Sequence, residues 1–257
     1  MLSTQNPAIL RSMRWIYLSP HFDDAVLSCG GLIWEQTHTG LPVEIWTICA
    51  GDPPPGALSA QATDLHAKWN SGSPLETVRL RRSEDQNAAR RVGAATLHLP
   101  VPDCIYRRSQ TGTLYYPEKV FLEQHPREQA LTEQVTALLA ERLTRHDTVV
   151  CPLTIGGHVD HRIVRAAAEK LERPLWYYAD VPYVLNHPEE LPNATKGLAP
   201  KIFFSSRQGT NAWQESILTY ASQLSGLFAD ESEMRQKIQE YRQTNDGILL
   251  WEAEINS

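Results

Sequence analysis

The sequence has 257 residues, of which 42% are hydrophobic and 21% are charged, a composition typical of a soluble globular protein. This length suits a single α/β domain that spans residues 1–257. The net charge of −6 and the pI near 5.9 argue against nucleic acid or an anionic membrane as a partner. The sequence contains no run of roughly 18 apolar residues, so we predict no membrane span.

Strand-like and helix-like segments alternate along the chain without an internal repeat. In chain order we predict a strand at 14–19, a helix at 25–39, a strand at 42–50, a helix at 76–92, a strand at 95–99, a helix at 127–145, a strand at 148–153, a helix at 159–171, strands at 173–179 and 201–205, and helices at 212–224 and 232–243. The segment 201–205 is the last clear strand. Repeated βα units with continuous apolar strands predict a Rossmann-like three-layer sandwich with a mostly parallel sheet.

Two long segments, residues 51–73 and 100–126, interrupt this alternation and are predicted to be loops. Loops of this length inside a compact domain are commonly lids or binding loops. Each follows a predicted strand, so both belong at the carboxyl edge of the sheet, where open parallel sheets bind ligands. Four aromatic residues of these loops could stack on a sugar or serve as packing anchors: Trp69, Tyr106, Tyr115 and Tyr116.

The amino-terminal stretch MLSTQNPAILRSMRW lacks the apolar core of a secretory signal peptide. The four cysteines are far apart and form no CxxC pair: Cys29, Cys49, Cys104 and Cys151. We therefore predict reduced, mostly buried thiols in a cytoplasmic protein. The sequence leaves the oligomeric state open, and a homo-oligomer is compatible with it.

The motif HFDD, which contains His21, Asp23 and Asp24, directly follows the first predicted strand. Histidine and carboxylate are ligands that suit Zn²⁺ or another divalent ion. Because neighbouring side chains diverge, one aspartate can bind metal while the other faces substrate or water, as a metallohydrolase requires. The same aspartates could instead cap the helix that begins near Ala25. This motif alone leaves both interpretations open.

The motif GGHVDHR follows the predicted strand 148–153. If a helix begins near Val159, His158 and His161 share one of its faces. One histidine could bind metal while the other faces the substrate, and Asp160 could fix the tautomer or protonation of an imidazole. The alternative is an ordinary helix start with surface histidines. Two such motifs at the ends of two predicted strands are improbable as a coincidence. Together they predict a metal site.

At these motifs the chain resembles the LmbE-like, or PIG-L, family of metal-dependent N-deacetylases. The family's first motif, HxDD followed by GG, is HFDDAVLSCGG here, and its HxDH motif is HVDH. The RxxE helix that usually lies between them corresponds to Arg81, Glu84 and a following Gly93. The chain departs from the family at Phe22, in place of proline, and at Ala25, in place of glutamate. Neither change removes a ligand, although Phe22 could reshape the pocket wall.

The resemblance implies a Zn²⁺ ion, with another divalent metal such as Fe²⁺ as the alternative, held by His21, Asp24 and His161. It implies that Asp23 is the general base. It also implies that His158, with Asp160 behind it, faces the oxyanion. These roles describe hydrolysis of an acetamide to a free amine and acetate.

For the substrate, the resemblance implies a small-molecule N-acetylated sugar conjugate of the N-acetylglucosamine type. Arg81 would contact the sugar, with adjacent Arg82 as the alternative, and Asp103 is a second candidate for sugar hydroxyls. On the residues alone, Arg81 could equally form a surface ion pair with Glu84 or Asp85. The alternative functions are an O-acetyl esterase that uses the same metal site and a non-catalytic sugar-binding protein.

Overall fold

The computed structural model describes residues 13–253, so most of the amino-terminal stretch without a signal-peptide core lies outside the described residues. The first half contains β1 (Trp15–Ser19), α1 (Asp24–His38), β2 (Val43–Thr47), α2 (Ala60–Lys68), α3 (Pro74–Arg91) and β3 (Ala95–His98). The second half contains α4 (Gln129–Arg142), β4 (Thr148–Pro152), α5 (Val159–Glu169), β5 (Leu175–Tyr178), α6 (Tyr183–Asn186), α7 (Leu191–Ala194), β6 (Leu198–Phe203), α8 (Arg207–Ile217), α9 (Ala221–Leu227), α10 (Glu231–Thr244) and β7 (Ile248–Ala253). Short 3-10 turns lie at Cys104–Tyr106, Pro126–Glu128 and Pro188–Glu190.

The strands form one seven-stranded sheet in the order β3-β2-β1-β4-β5-β7-β6. Strands β1 to β5 are parallel, and β7 runs antiparallel to both β5 and β6. The central strands are continuous apolar runs, such as Ile16, Tyr17 and Leu18 in β1, which are completely buried. Helices α1, α3 and α8 pack against one another, and α4 packs against α5. The predicted α/β class with a mostly parallel sheet is confirmed.

The strand order reverses between β1 and β4. From β1 the chain adds β2 and β3 on one side, and it then returns to place β4 on the other side of β1. When the connections that follow two adjacent parallel strands run in opposite directions, a crevice forms at the carboxyl ends of those strands. The two polar motifs of the sequence follow β1 and β4, so the topology brings them to the same crevice.

Several elements differ from the sequence prediction, among them the short helices α6 and α7, which were not predicted. The segment 51–73 is not all loop, because it contains α2, whose N-cap Ser59 accepts a hydrogen bond from the Ala62 N–H at 3.0 Å. Strand β7 was missed, so the segment 201–205 is not the last strand. The apolar run of β7 has no clear alternation of apolar and polar residues. It is a strand because it pairs antiparallel with both β5 and β6.

The predicted helix 212–224 is in fact two helices, α8 and α9, separated by residues 218–220. Polar contacts with α3 stabilise this break. The Tyr220 hydroxyl donates to Asp85 at 3.1 Å, and the Ser222 N–H and hydroxyl donate to Glu84 at 2.8 and 2.6 Å. These tertiary partners are far away in sequence and cannot be predicted from helical periodicity.

All four cysteines are buried free thiols, as predicted. Within residues 13–253, every helix is too short or too polar to cross a bilayer. The cytoplasmic location and the single-domain assignment stay predictions.

Replacement of Gly30 by alanine is expected to destabilise the fold by about 1–3 kcal/mol, as overpacking does. A Cβ at Gly30 would overlap the indole of Trp213 on α8, which is completely buried and whose N–H donates to the Val26 carbonyl at 2.7 Å. Urea unfolding followed by circular dichroism measures the change. The matched control is Gly226→Ala, because a Cβ there meets no atom within 4 Å. Equal free energies of unfolding for Gly30→Ala and the parent would show that the contact between Gly30 and Trp213 leaves room for a methyl group.

Candidate active site

Three side chains of the two motifs meet at the carboxyl ends of β1 and β4. The Nδ1 atom of His21 lies 3.2 Å from Oδ2 of Asp24, and the Nε2 atom of His161 lies 3.4 Å from Oδ1 of the same carboxylate. All three residues are buried. The Asp24 carboxylate therefore stands between two imidazoles, with one oxygen toward each.

Each of these imidazoles is held from behind by a second carboxylate. Asp180 Oδ1 lies 2.7 Å from His161 Nδ1, and Asp160 Oδ2 lies 3.0 Å from His21 Nε2. Partners of this kind orient the ring and determine which nitrogen is left free for a metal. Asp180 was not among the predicted site residues, although its position just after β5 follows the same strand-end pattern as the two motifs.

The group formed by His21, Asp24 and His161 could hold a divalent cation. His161 Nε2 is completely buried and has no hydrogen-bond partner among residues 13–253. Burial alone would lower the pKa of His161, but Asp24 and Asp180 outweigh it and raise the pKa to about 9. The site therefore stabilises positive charge at this point. Two imidazoles and a carboxylate form a donor set that binds zinc and related ions.

Helix capping does not explain the aspartates of the first motif. Asp23 is the N-cap residue of α1, but its side chain makes no capping hydrogen bond. Instead, the Ala25 N–H donates to the Ser19 hydroxyl at 3.0 Å, and Asp24 Oδ2 accepts from the His21 N–H at 2.7 Å. The two carboxylates are thus available for the site.

The prediction that Asp160 stands behind His158 is corrected by the contacts of its carboxylate. The Asp160 carboxylate accepts from Arg107 at 2.5 Å and contacts His21, while only its backbone N–H reaches His158, donating to Nδ1 at 3.2 Å. His158 is the N-cap residue of α5, so its ring folds back onto its own helix. Arg107 also donates to Glu128 at 2.6 Å. The buried guanidinium therefore pairs with both Glu128 and Asp160, an arrangement that was not predicted from the sequence.

His158 lies at the edge of the cavity, where its surroundings favour the neutral form of the imidazole. Burial, reinforced by the nearby charge of His21, lowers the pKa of His158 well below its ordinary value. Because Nδ1 accepts a hydrogen bond, the ring proton lies on Nε2. His158 can therefore donate a hydrogen bond to a ligand without carrying a charge.

Arg81 joins the two remaining carboxylates of the site. Its guanidinium nitrogens lie 3.6 Å from Asp23 Oδ1 and 3.6 Å from Asp103 Oδ2. The rings of Phe22 and Trp69 flank the guanidinium at 5.5 and 4.8 Å. Phe22 thus packs behind Arg81 instead of forming the pocket wall.

The environment of Asp23 prepares it to exchange a proton. Burial raises the pKa of Asp23 to about 6, with the Arg81 charge opposing this rise and the Asp24 charge adding to it. Arg82, the alternative to Arg81, lies outside the cavity and donates to the Ala50 carbonyl and to Asp52 at 2.7 and 3.0 Å.

A cavity of about 370 Å³ opens from these groups to the surface. Its lining includes the following residues: His21, Asp23, Asp24, Gln61, Leu65, Lys68, Trp69, Arg81, Asp103, Val120, Phe121, His158, Tyr183, Asn186, Gln223 and Leu227. Both long predicted loops contribute to it. Of the predicted loop aromatics only Trp69 lines the cavity, whereas Tyr106 and Tyr116 are buried packing anchors whose hydroxyls bond to His66 and Glu128. Phe121 and Tyr183 also line the cavity, and neither was individually predicted as a site residue.

The family model described as PIG-L: GlcNAc-PI de-N-acetylase matches residues 16–171, which is more than half of the chain. This chain belongs to the PIG-L family. A 2'-N-acetylparomamine deacetylase from Niallia circulans is 32% identical to this PIG-L chain over 258 residues, which cover 94% of this chain and 89% of that protein. The resemblance seen in the motifs is confirmed.

Solved structures share the fold of this chain. The zinc-inhibited form of teicoplanin deacetylase Orf2 has a TM-score of 0.77 and 24% identity, covering 95% of this chain and 100% of that chain. The A40926 pseudoaglycone deacetylase Dbv21 has a TM-score of 0.72 and 28% identity, covering 94% of this chain and 97% of that chain. The family model and the 32% identical relative, rather than the shared fold, place this PIG-L protein in the N-deacetylase class of enzymes.

Proposed function

We propose that this PIG-L protein is a zinc-dependent hydrolase that removes the acetyl group from an N-acetylglucosamine-type sugar conjugate. The observation that carries the proposal is that His21, Asp23, Asp24 and His158 line one cavity, while the buried His161 lies against the Asp24 carboxylate. The relatives are named as deacetylases, in one case of N-acetylparomamine, which supports an amide substrate.

His21, Asp24 and His161 would hold the ion. Zinc is the first choice, because two imidazoles and one carboxylate are frequent ligands of catalytic zinc, and Fe²⁺ is the alternative for the same donor set. When bound, the ion supplies a Lewis acid that makes water reactive near neutral pH. Asp180 and Asp160 fix the orientation of the two imidazole rings that would hold the ion.

Asp23 carries the proton through the reaction. It takes a proton from the attacking water as the water oxygen bonds to the acetyl carbon, and it returns that proton to the nitrogen as the carbon–nitrogen bond breaks. Its pKa of about 6 suits both steps, since a general acid–base works best near the operating pH. The products are acetate and a free amine.

His158 and Asp103 contact the substrate, and Arg81 supports the carboxylate of Asp103. The Nε2–H of His158 donates to the carbonyl oxygen as negative charge develops there, an interaction typically worth about 2.7–4 kcal/mol. Arg81 holds Asp23 and Asp103 in place, and Asp103 accepts a hydrogen bond from a sugar hydroxyl.

Metal analysis coupled to acetate release tests this function. The purified protein is stripped with a chelator, reloaded with Zn²⁺ or Fe²⁺, and assayed on matched N-acetylated and O-acetylated sugars. We expect acetate and free amine in equal amounts from the amides, loss of both on stripping, and recovery with zinc. Release from the esters alone would favour the esterase, and release from neither class would favour the sugar-binding alternative.

A further inference from the structure

The outer part of the cavity lies beyond the groups that act on the acetamide. Two helices that contact each other, α2 and α9, form its wall, with Leu65 on α2 and Leu227 on α9. Trp69, at the end of α2, and Tyr183 extend this apolar surface toward the catalytic groups. The cavity volume of about 370 Å³ is within the range of ~300–1,000 Å³ that is typical of sites for whole small-molecule ligands.

Phe121 is an exposed aromatic ring held at the mouth of this cavity. Its side chain is 56% exposed, although a phenylalanine normally gains stability from burial. The backbone is tied to α5, because the Val159 N–H donates to the Val120 carbonyl at 2.8 Å and Phe121 pairs with His158. Its ring meets His158 edge-on at 5.4 Å and Tyr183 at 5.9 Å. A fixed, exposed ring beside catalytic groups is a surface for an apolar ligand.

The charges of the cavity are concentrated at its inner end. Among the described lining residues the carboxylates are those of Asp23, Asp24 and Asp103, and each is compensated by Arg81 or by the site histidines. The other charged or amide side chains of the lining are one cation, Lys68, and three amides: Gln61, Asn186 and Gln223. A positively charged aglycone, such as a polyamine, would lie near Lys68. No further carboxylate among the described lining residues would balance its charge.

We propose that the acetylated amino sugar is carried on an apolar, uncharged aglycone, an alkyl or aromatic group, that binds between α2 and α9 against Leu65, Leu227 and Phe121. This inference rests on the proposed function and names its substrate class. The acetamide end of the substrate lies at Asp23 and His158, and the aglycone leaves the sugar toward the outer wall. Phe121 and Leu227 are therefore specificity-determining residues.

Three glycosides of N-acetylglucosamine test the proposal: methyl, hexyl and 6-aminohexyl. The last two match in length and differ in the terminal charge. We expect kcat/KM for acetate release to be roughly 10-fold or more higher for the hexyl than for the methyl glycoside, chiefly through KM, because added methylenes bind in an apolar pocket. The aminohexyl glycoside should show no comparable gain. Equal values for all three, or preference for the aminohexyl compound, would overturn the aglycone assignment alone.

The same assay on variants tests whether the outer wall causes the preference for the hexyl glycoside. Leu227→Glu should reduce the hexyl-to-methyl ratio of kcat/KM to near one and improve the aminohexyl glycoside relative to the hexyl glycoside. Phe121→Ala should also reduce the hexyl-to-methyl ratio. The matched control Leu80→Glu, at a leucine that is 41% exposed and away from the cavity, should keep the parental ratio. An unchanged ratio in Leu227→Glu would contradict the proposal, and absence of acetate from all three glycosides would overturn the proposed function together with it.

Discussion

Replacement of Asp23 by asparagine should leave zinc bound and lower kcat by about 10²–10⁴-fold, the usual contribution of general acid–base catalysis. Asparagine has nearly the same shape as aspartate and can keep the contact with Arg81, but it cannot accept a proton from water. Asp23 is also not one of the proposed ligands. Steady-state acetate release, measured beside zinc content on the same preparation, gives both quantities.

A control for the loss of one carboxylate is Asp52→Asn. The Asp52 side chain is 64% exposed, and its ion pair with Arg82 lies outside the cavity. This variant should keep the parental kcat. Full activity of Asp23→Asn would show that Asp23 is not the base, and loss of zinc from that variant would indicate that it is a ligand instead.

Replacement of His161 by alanine should remove zinc from the purified protein. The substitution takes away one of three proposed ligands and leaves Asp24 and Asp180 facing each other without the imidazole between them. The loss of affinity should exceed the ~10–100-fold that is typical when only an outer partner of a ligand is lost. Zinc content after dialysis against a chelator-buffered zinc solution measures the affinity, with circular dichroism as the check on folding.

Two further variants make this result specific. Asp180→Asn should weaken zinc binding by about 10–100-fold, because it disturbs the ring of His161 without removing the ligand. His187→Ala should have no effect, since this histidine has a side chain that is 52% exposed and lies outside the cavity. Parental zinc stoichiometry in a folded His161→Ala protein would exclude His161 from the metal site.

The convergence of the two motifs could be predicted because it depends on local patterns. An apolar run identifies a buried parallel strand, and the residues directly after it must lie at the carboxyl edge of the sheet. This reasoning brought His21 and Asp24 to the same edge as His161 before any contact was known. The same rule applied to the strand that precedes Asp180 would have found that residue as well.

Individual contacts at the site depended on tertiary structure. Arg81 and Arg82 are neighbours, but successive positions of a helix point about 100° apart, and only the packing of α3 on the sheet shows that Arg81 enters the cavity. The partner of Asp160 could not be read from its place between two histidines, because Arg107 lies 53 residues away along the chain.

The sequence by itself therefore determined the α/β class, the edge of the sheet that carries the site and the residue types at its centre, since all three follow from periodicity and chain order. Only the tertiary structure decided which carboxylate supports which imidazole, that Phe22 lies behind Arg81, and that Phe121 stands at the mouth. Such contacts join residues from separate loops and helices, and their distances are set by how those elements cross and pack on the sheet.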